Sequence, residues 1–158
     1  MKSLRLIILL LSHLVIGIMG FAIGIYSLPI LTAPASPELA QLEKASANRR
    51  YQAEFTNNLA GSDVLHWGNG QVTVGPDFIT LTGELSPGPD FKLYLSPEFV
   101  ETEAQFKALK STMVRVGDVR TFTHFIVPVD SNINIDEYTT LIVWCESFEQ
   151  FITAAKYQ

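Results

Sequence analysis

Two unlike patterns divide the chain. From Leu6 to Leu28 it is apolar almost without interruption, Ser12, His13, Tyr26 and Ser27 being the only polar side chains. As a helix rising about 1.5 Å per residue, this run reaches roughly 35 Å, slightly more than a hydrocarbon core of roughly 30 Å. A modest tilt absorbs the excess. Cleavable signal peptides carry a shorter apolar region of about 7–15 residues, so the run predicts a transmembrane signal anchor over residues 6–28. Ala33 and Ala35 around Pro34 add only a weak cleavage site.

Beyond the apolar run the period changes. "SPELAQLEKASANRR" predicts a short juxtamembrane helix within a linker over residues 29–50, with Ser36 able to cap, Pro37 suited to the first position and Glu38 complementing the dipole. Residues 51–158 form one domain's length of chain, built of short β-rich runs separated by turn chemistry. That is the signature of a mainly β domain, a sandwich or barrel.

Within it, "DVLHW", Gly68-Asn69-Gly70 and "QVTV" predict a hairpin turning at Asn-Gly. "GPDF" occurs at residues 75–78 and again at 88–91, each time as a turn leading into an alternating strand, "FITLTGEL" and "FKLYLS". "TEAQFKALK" predicts a short helix inserted on the β scaffold. "VRVGDVRTFTHFIVP" predicts two strands bending at Gly117-Asp118, with Pro128 ending the second or marking an edge.

"TTLIVWC" is apolar on both faces and so predicts a central strand. The last segment reads two ways. Ser147 and Gln150 match a capping box, with Phe148, Phe151, Ile152 and Ala155 at helical spacing; alternatively Phe151, Thr153 and Ala155 share one face of a strand.

Charge supplies orientation. Lys2 and Arg5 precede the apolar run and no basic residue follows it until Lys44, which puts residues 1–5 in the cytoplasm and the domain outside, in a periplasm or at a cell surface. The lipid bilayer is then the partner of residues 6–28. Setting aside Lys2 and Arg5 leaves nine basic residues against sixteen acidic ones, about −7 for the external part. Nucleic acid is not an expected partner of such a surface. In the span, Gly20 and Gly24 form a small-xxx-small pattern, a candidate seam for a homodimer beside the plainer reading that glycine is common in such helices. His13 reads as a neutral imidazole in the span.

The chemistry is sparse. The sequence has no H-E-x-x-H, C-x-x-C, G-x-S-x-G or glycine-rich phosphate loop, so no catalytic set and no cofactor is indicated, and the domain does not read as a stand-alone enzyme. Its single cysteine, Cys145, stands out in an oxidising compartment. Four readings compete for it: a buried small hydrophobe, a redox thiol, a metal or haem ligand, or half of an intermolecular disulfide.

In a strand, Leu141, Val143 and Cys145 share one apolar face, opposite Ile142, Trp144 and Glu146. Burial raises a thiol's pKa and the neighbouring Glu146 is expected to raise it further. His66, His124 and Met113 could complete a blue-copper set with Cys145, but such ligands usually cluster on one loop and these do not. Trp144 is a candidate supporting aromatic that could pass electrons, and Trp67 stands in "LHWGNG"; more often tryptophan is core.

Taken in order, "GNGQVTV", "PGPDFKLYLS", "VGDVRTFTHFIVP" and "YTTLIVWCESFEQFITAA" resemble the DM-thirteen domain family, over roughly Phe55 to the end. The resemblance implies a small, mainly β extracytoplasmic module, in bacteria found behind a membrane anchor. It also implies an electron-transfer role with the family's signature cysteine, here Cys145, as redox centre, and a redox partner protein. The haem- or sugar-binding domain that often accompanies the family does not occur in this sequence. The resemblance favours a strand for the last segment. The alternative function is a binding or scaffolding domain in which Cys145 only packs.

Overall fold

The computed structural model describes residues 2–158; Met1, the first residue of the expected cytoplasmic stretch, lies outside them. The apolar run forms a single helix, α1 (Lys2–Thr32), which continues past Leu28 with Pro29 in its last turn. Among the described residues it is the one helix long and apolar enough to cross a membrane, with a mean hydropathy of 2.6. No atom outside the helix approaches the Cβ positions of Gly20 and Gly24, so that face is open in the single chain.

A short helix, α2 (Leu39–Ala45), follows. Its cap is Glu38 rather than Ser36, because Gln41 Oε1 reaches back to accept the Glu38 N–H at 2.8 Å. Leu42 is buried, and α2 lies against the sheet that follows.

Eight antiparallel strands then make two four-stranded sheets. One contains β1 (Tyr51–Phe55), β2 (Gly68–Val74), β3 (Phe78–Leu85) and β6 (Thr123–Pro128), in the order β1-β2-β3-β6. The other contains β4 (Phe91–Ser96), β5 (Val114–Val119), β7 (Thr140–Cys145) and β8 (Gln150–Lys156), in the order β5-β4-β7-β8. The sheets pack face to face around one core that includes Phe55, Leu81, Leu93, Phe125 and Leu141. The expected mainly β sandwich is therefore the observed architecture.

The second sheet is buried on both faces. Its outer side carries α3 (Glu103–Leu109), the expected inserted helix, capped by Thr102 Oγ1, which accepts the Gln105 N–H. Phe106 from α3 joins Tyr94, Ile142, Trp144 and Phe151 in a second apolar cluster. This two-sided cover explains why every residue of β7 is buried and why "TTLIVWC" lacks alternation.

Both "GPD" turns fall where expected, directly before β3 and β4. The Asn-Gly turn does not. Gly68-Asn69-Gly70 lies inside β2, and "DVLHW" is loop, folded by Asp63 Oδ1, which accepts the Leu65 and His66 N–H groups at 2.7 and 2.8 Å. Gly70, at φ +129°, pairs with Gly83, where the two backbones approach closely. Its unusual φ serves close strand packing rather than a turn.

Gly117-Asp118 likewise continues β5 instead of bending it; the chain turns at residues 120–122. A Cβ at Gly117 would come within 2.8 Å of Val127 Cγ1, so glycine is needed where β5 passes β6 of the other sheet. Pro128 ends β6, an edge strand, in agreement with both readings of it. The last segment is the strand β8, paired with β7, and Ser147 lies in the turn between them instead of capping a helix.

Candidate functional site

Cys145 is the last residue of β7, opposite Phe91 on one side and Gln150 on the other. Strand alternation puts it on the inner face with Leu141 and Val143, while Ile142 and Trp144 enter the outer cluster, as the sequence predicts. The side chain is 2% exposed. Yet it borders space, because three loops at this end of the sandwich and Ala22, Ile25 and Tyr26 of α1 together line an open cavity of about 340 Å³. Leu65 and His66 line it from the β1–β2 loop, Pro87 and Pro89 from the β3–β4 loop, and Phe148 from the β7–β8 turn, with Cys145 among them.

Burial pushes the thiol pKa up, working against the backbone N–H groups of Phe148, Asp90 and Ser147, which face the sulfur and favour a thiolate. The carboxylate that adds to the upward shift is Asp90, not Glu146. Glu146 points to the other face. There it accepts from the Tyr94 hydroxyl and meets Lys110 Nζ at 2.7 Å. Burial opposes its ionisation, but Lys110 and Tyr94 hold its pKa below the ordinary range.

Asp90 belongs to a charge ladder beside the site. Lys92, only 14% exposed, lies 2.6 Å from Asp90 and 3.0 Å from Asp118, which also meets Arg115 at 2.5 Å and Arg120 at 3.2 Å. The Lys92 hydrogen bond, then that of Arg115, brings Asp118 down to about 2 from an ordinary 3.8. A depressed carboxylate contributes stability that is complete above its unfolded pKa and lost as pH falls through the folded one. With its partial exposure discounted, that is about 1 kcal/mol. Asp118→Asn is therefore expected to lower the urea midpoint at pH 7 and to flatten its fall between about pH 4 and pH 2.

The other sequence candidates are scattered. His124, at φ +55°, offers Nδ1 to the Gly83 N–H at 3.0 Å across the irregularity where β3 and β6 lose register, a structural use of its ring. Met113 packs with the Trp144 cluster, on the face opposite the thiol. Only His66 reaches the cavity with Cys145. Its Nδ1 lies 2.9 Å from Asp63 Oδ2, and that contact holds the Asp63 carboxyl below its ordinary range. The Asp63–His66 pair is the part of the site that sequence reading missed; the D-x-x-H spacing in a turn was the available signal.

Trp144 stacks on Phe106, ring centroids 3.9 Å apart and planes 9° from parallel, with Lys110 Nζ 5.9 Å from the indole. Its indole N–H leans toward Glu146 without closing a hydrogen bond of ordinary geometry.

The chain is thus a small antiparallel β sandwich with one inward thiol bordering a cavity at one end. The family model described as "Electron transfer DM13" matches residues 38–157, from just before α2 through β8, and the chain belongs to that family. No curated protein and no solved structure matches it.

Proposed function

We propose that this protein is a membrane-held electron-transfer domain in which Cys145 is the redox group and Trp144 a supporting aromatic. Membership of the electron-transfer family supports the reading. The observation that carries it is the thiol bordering a cavity despite near-complete burial. Because the sequence has one cysteine, no intrachain disulfide can form. Redox turnover therefore requires a partner, either a protein or a carrier that enters the cavity.

In this reading α1 holds the domain at the outer surface of a membrane, with residues 1–5 in the cytoplasm. The charge asymmetry around the apolar run supports that orientation.

Thiol accessibility in the full chain, held in detergent micelles, tests the proposal. A small uncharged maleimide is expected to alkylate Cys145 in the folded protein, more slowly than in urea, while a bulky charged reagent does not. Since burial raises the thiol pKa, the rate should go on rising through about pH 8.5, where an ordinary thiol levels off. Cys145→Ser should abolish labelling. Alkylation that proceeds only at the rate of global unfolding would assign Cys145 to packing, and the domain to binding or scaffolding.

A further inference from the structure

We infer that the cavity at the Cys145 end is a binding site for the headgroup of a membrane quinone or quinol. The inference rests on the electron-transfer reading for its purpose, but its geometry is independent of the thiol's redox state.

Three features converge. One wall is formed by Ala22, Ile25 and Tyr26 of α1, in the outer third of the apolar run, and tyrosine is a residue of membrane interfaces. The rim is apolar and exposed: Leu65 is 52% exposed and Phe148 51%. Large apolar side chains grouped at a loop end suit the boundary between headgroups and acyl chains. With α1 across the bilayer, the cavity then opens onto lipid rather than bulk water.

The interior selects among lipid-phase molecules. At about 340 Å³ it lies at the lower end of small-ligand sites, room for a substituted ring whose isoprenoid tail stays in the bilayer. Its walls are mainly apolar, and polar groups occur at few points: Tyr26, His66, Cys145 and Gln150, whose amide nitrogen already donates to Glu103 Oε2 and to the Phe148 and Glu149 carbonyls. With Asp63 against Nδ1, the His66 ring has Nε2 left for a ligand, since no other described residue bonds it. Neutral, Nε2 accepts from a quinol hydroxyl; protonated, it donates to a quinone carbonyl. A phospholipid acyl chain would not use His66.

Photolabelling of the full chain in nanodiscs with a short-chain azidoquinone tests the site. Label mapped by mass spectrometry is expected on residues 63–67, 87–91 and 146–152, displaced by excess short-chain ubiquinone and not by added phospholipid. His66→Phe, on a loop where folding should be unaffected and its unchanged thermal midpoint can be checked, should weaken displacement about tenfold, the equivalent of one hydrogen bond. Label confined to residues 6–28, or displaced equally by phospholipid, would overturn the inference. Cys145→Ser separates the two proposals: it should leave labelling intact. Labelling that persists while the wild-type thiol is unreactive in the folded protein would sink the redox reading and leave the quinone site standing.

Discussion

Trp144→Ala is expected to destabilise the domain by about 3–5 kcal/mol, the cost of emptying a fully buried aromatic site. The indole is 1% exposed and stacked flat on Phe106, so its removal also takes away the surface that holds α3 on the outer sheet. Trp144→Phe should cost less than half as much. It keeps a ring against Phe106 and removes a buried donor that has no hydrogen-bond partner. Urea unfolding of the full chain in micelles, followed by near-ultraviolet circular dichroism, would give both values. Equal losses for the two variants would show that a phenyl ring at this position does not replace the indole's packing against Phe106. Because Trp144 and Cys145 are consecutive on β7, the alanine variant should also speed alkylation of the thiol from inside a loosened strand.

Gly83→Ala is the second large effect. A Cβ there would lie 2.1 Å from Asn69 O and 2.7 Å from the Gly70 Cα, both backbone atoms of the paired strand. No rotamer relieves such a contact. The strands must separate, and the hydrogen bond from the Gly83 N–H to His124 Nδ1 goes with them. The expected loss is at or above the upper end of the roughly 1–3 kcal/mol of ordinary overpacking. Gly117→Ala, against the movable Val127 side chain, should cost clearly less. Thermal midpoints of the two variants make the comparison, and an unperturbed Gly83→Ala would mean that β2 and β3 do not approach this closely.

These glycines also show where sequence reading fails. Gly70 and Gly117 carry the same local signal as a turn glycine, freedom of φ or absence of a Cβ. Their need arises from a neighbouring strand, Gly83 on β3 for one and Val127 on β6 for the other. Where the punctuation included proline, as in both "GPDF" turns, the reading held. Proline fixes φ and removes a donor, which is a property of the residue itself.

The site divides in the same way. The face of Cys145 was legible from the two-residue period of β7, and its raised pKa from burial. The wrong carboxylate was assigned, because Glu146 is next in sequence but on the opposite face, while Asp90 is across a strand pair. The helix-or-strand ambiguity of residues 147–158 was settled by pairing with β7. Phe148 and Phe151 fit helical spacing only because one is a turn residue on the rim and the other packs in the outer cluster.

By itself, then, the sequence determined what depends on a residue and its near neighbours: the long apolar helix, the β character, the strand after each proline turn, and the inward side of Cys145. Family membership was legible in the same runs. Only the tertiary structure decided that α1 and three loops distant in sequence line a common cavity, that His66 stands in it while His124 and Met113 do not, and that Asp90 is the carboxylate near the sulfur. Those facts depend on which strands become neighbours. Strand pairing brings together residues tens of positions apart, and no local period encodes that.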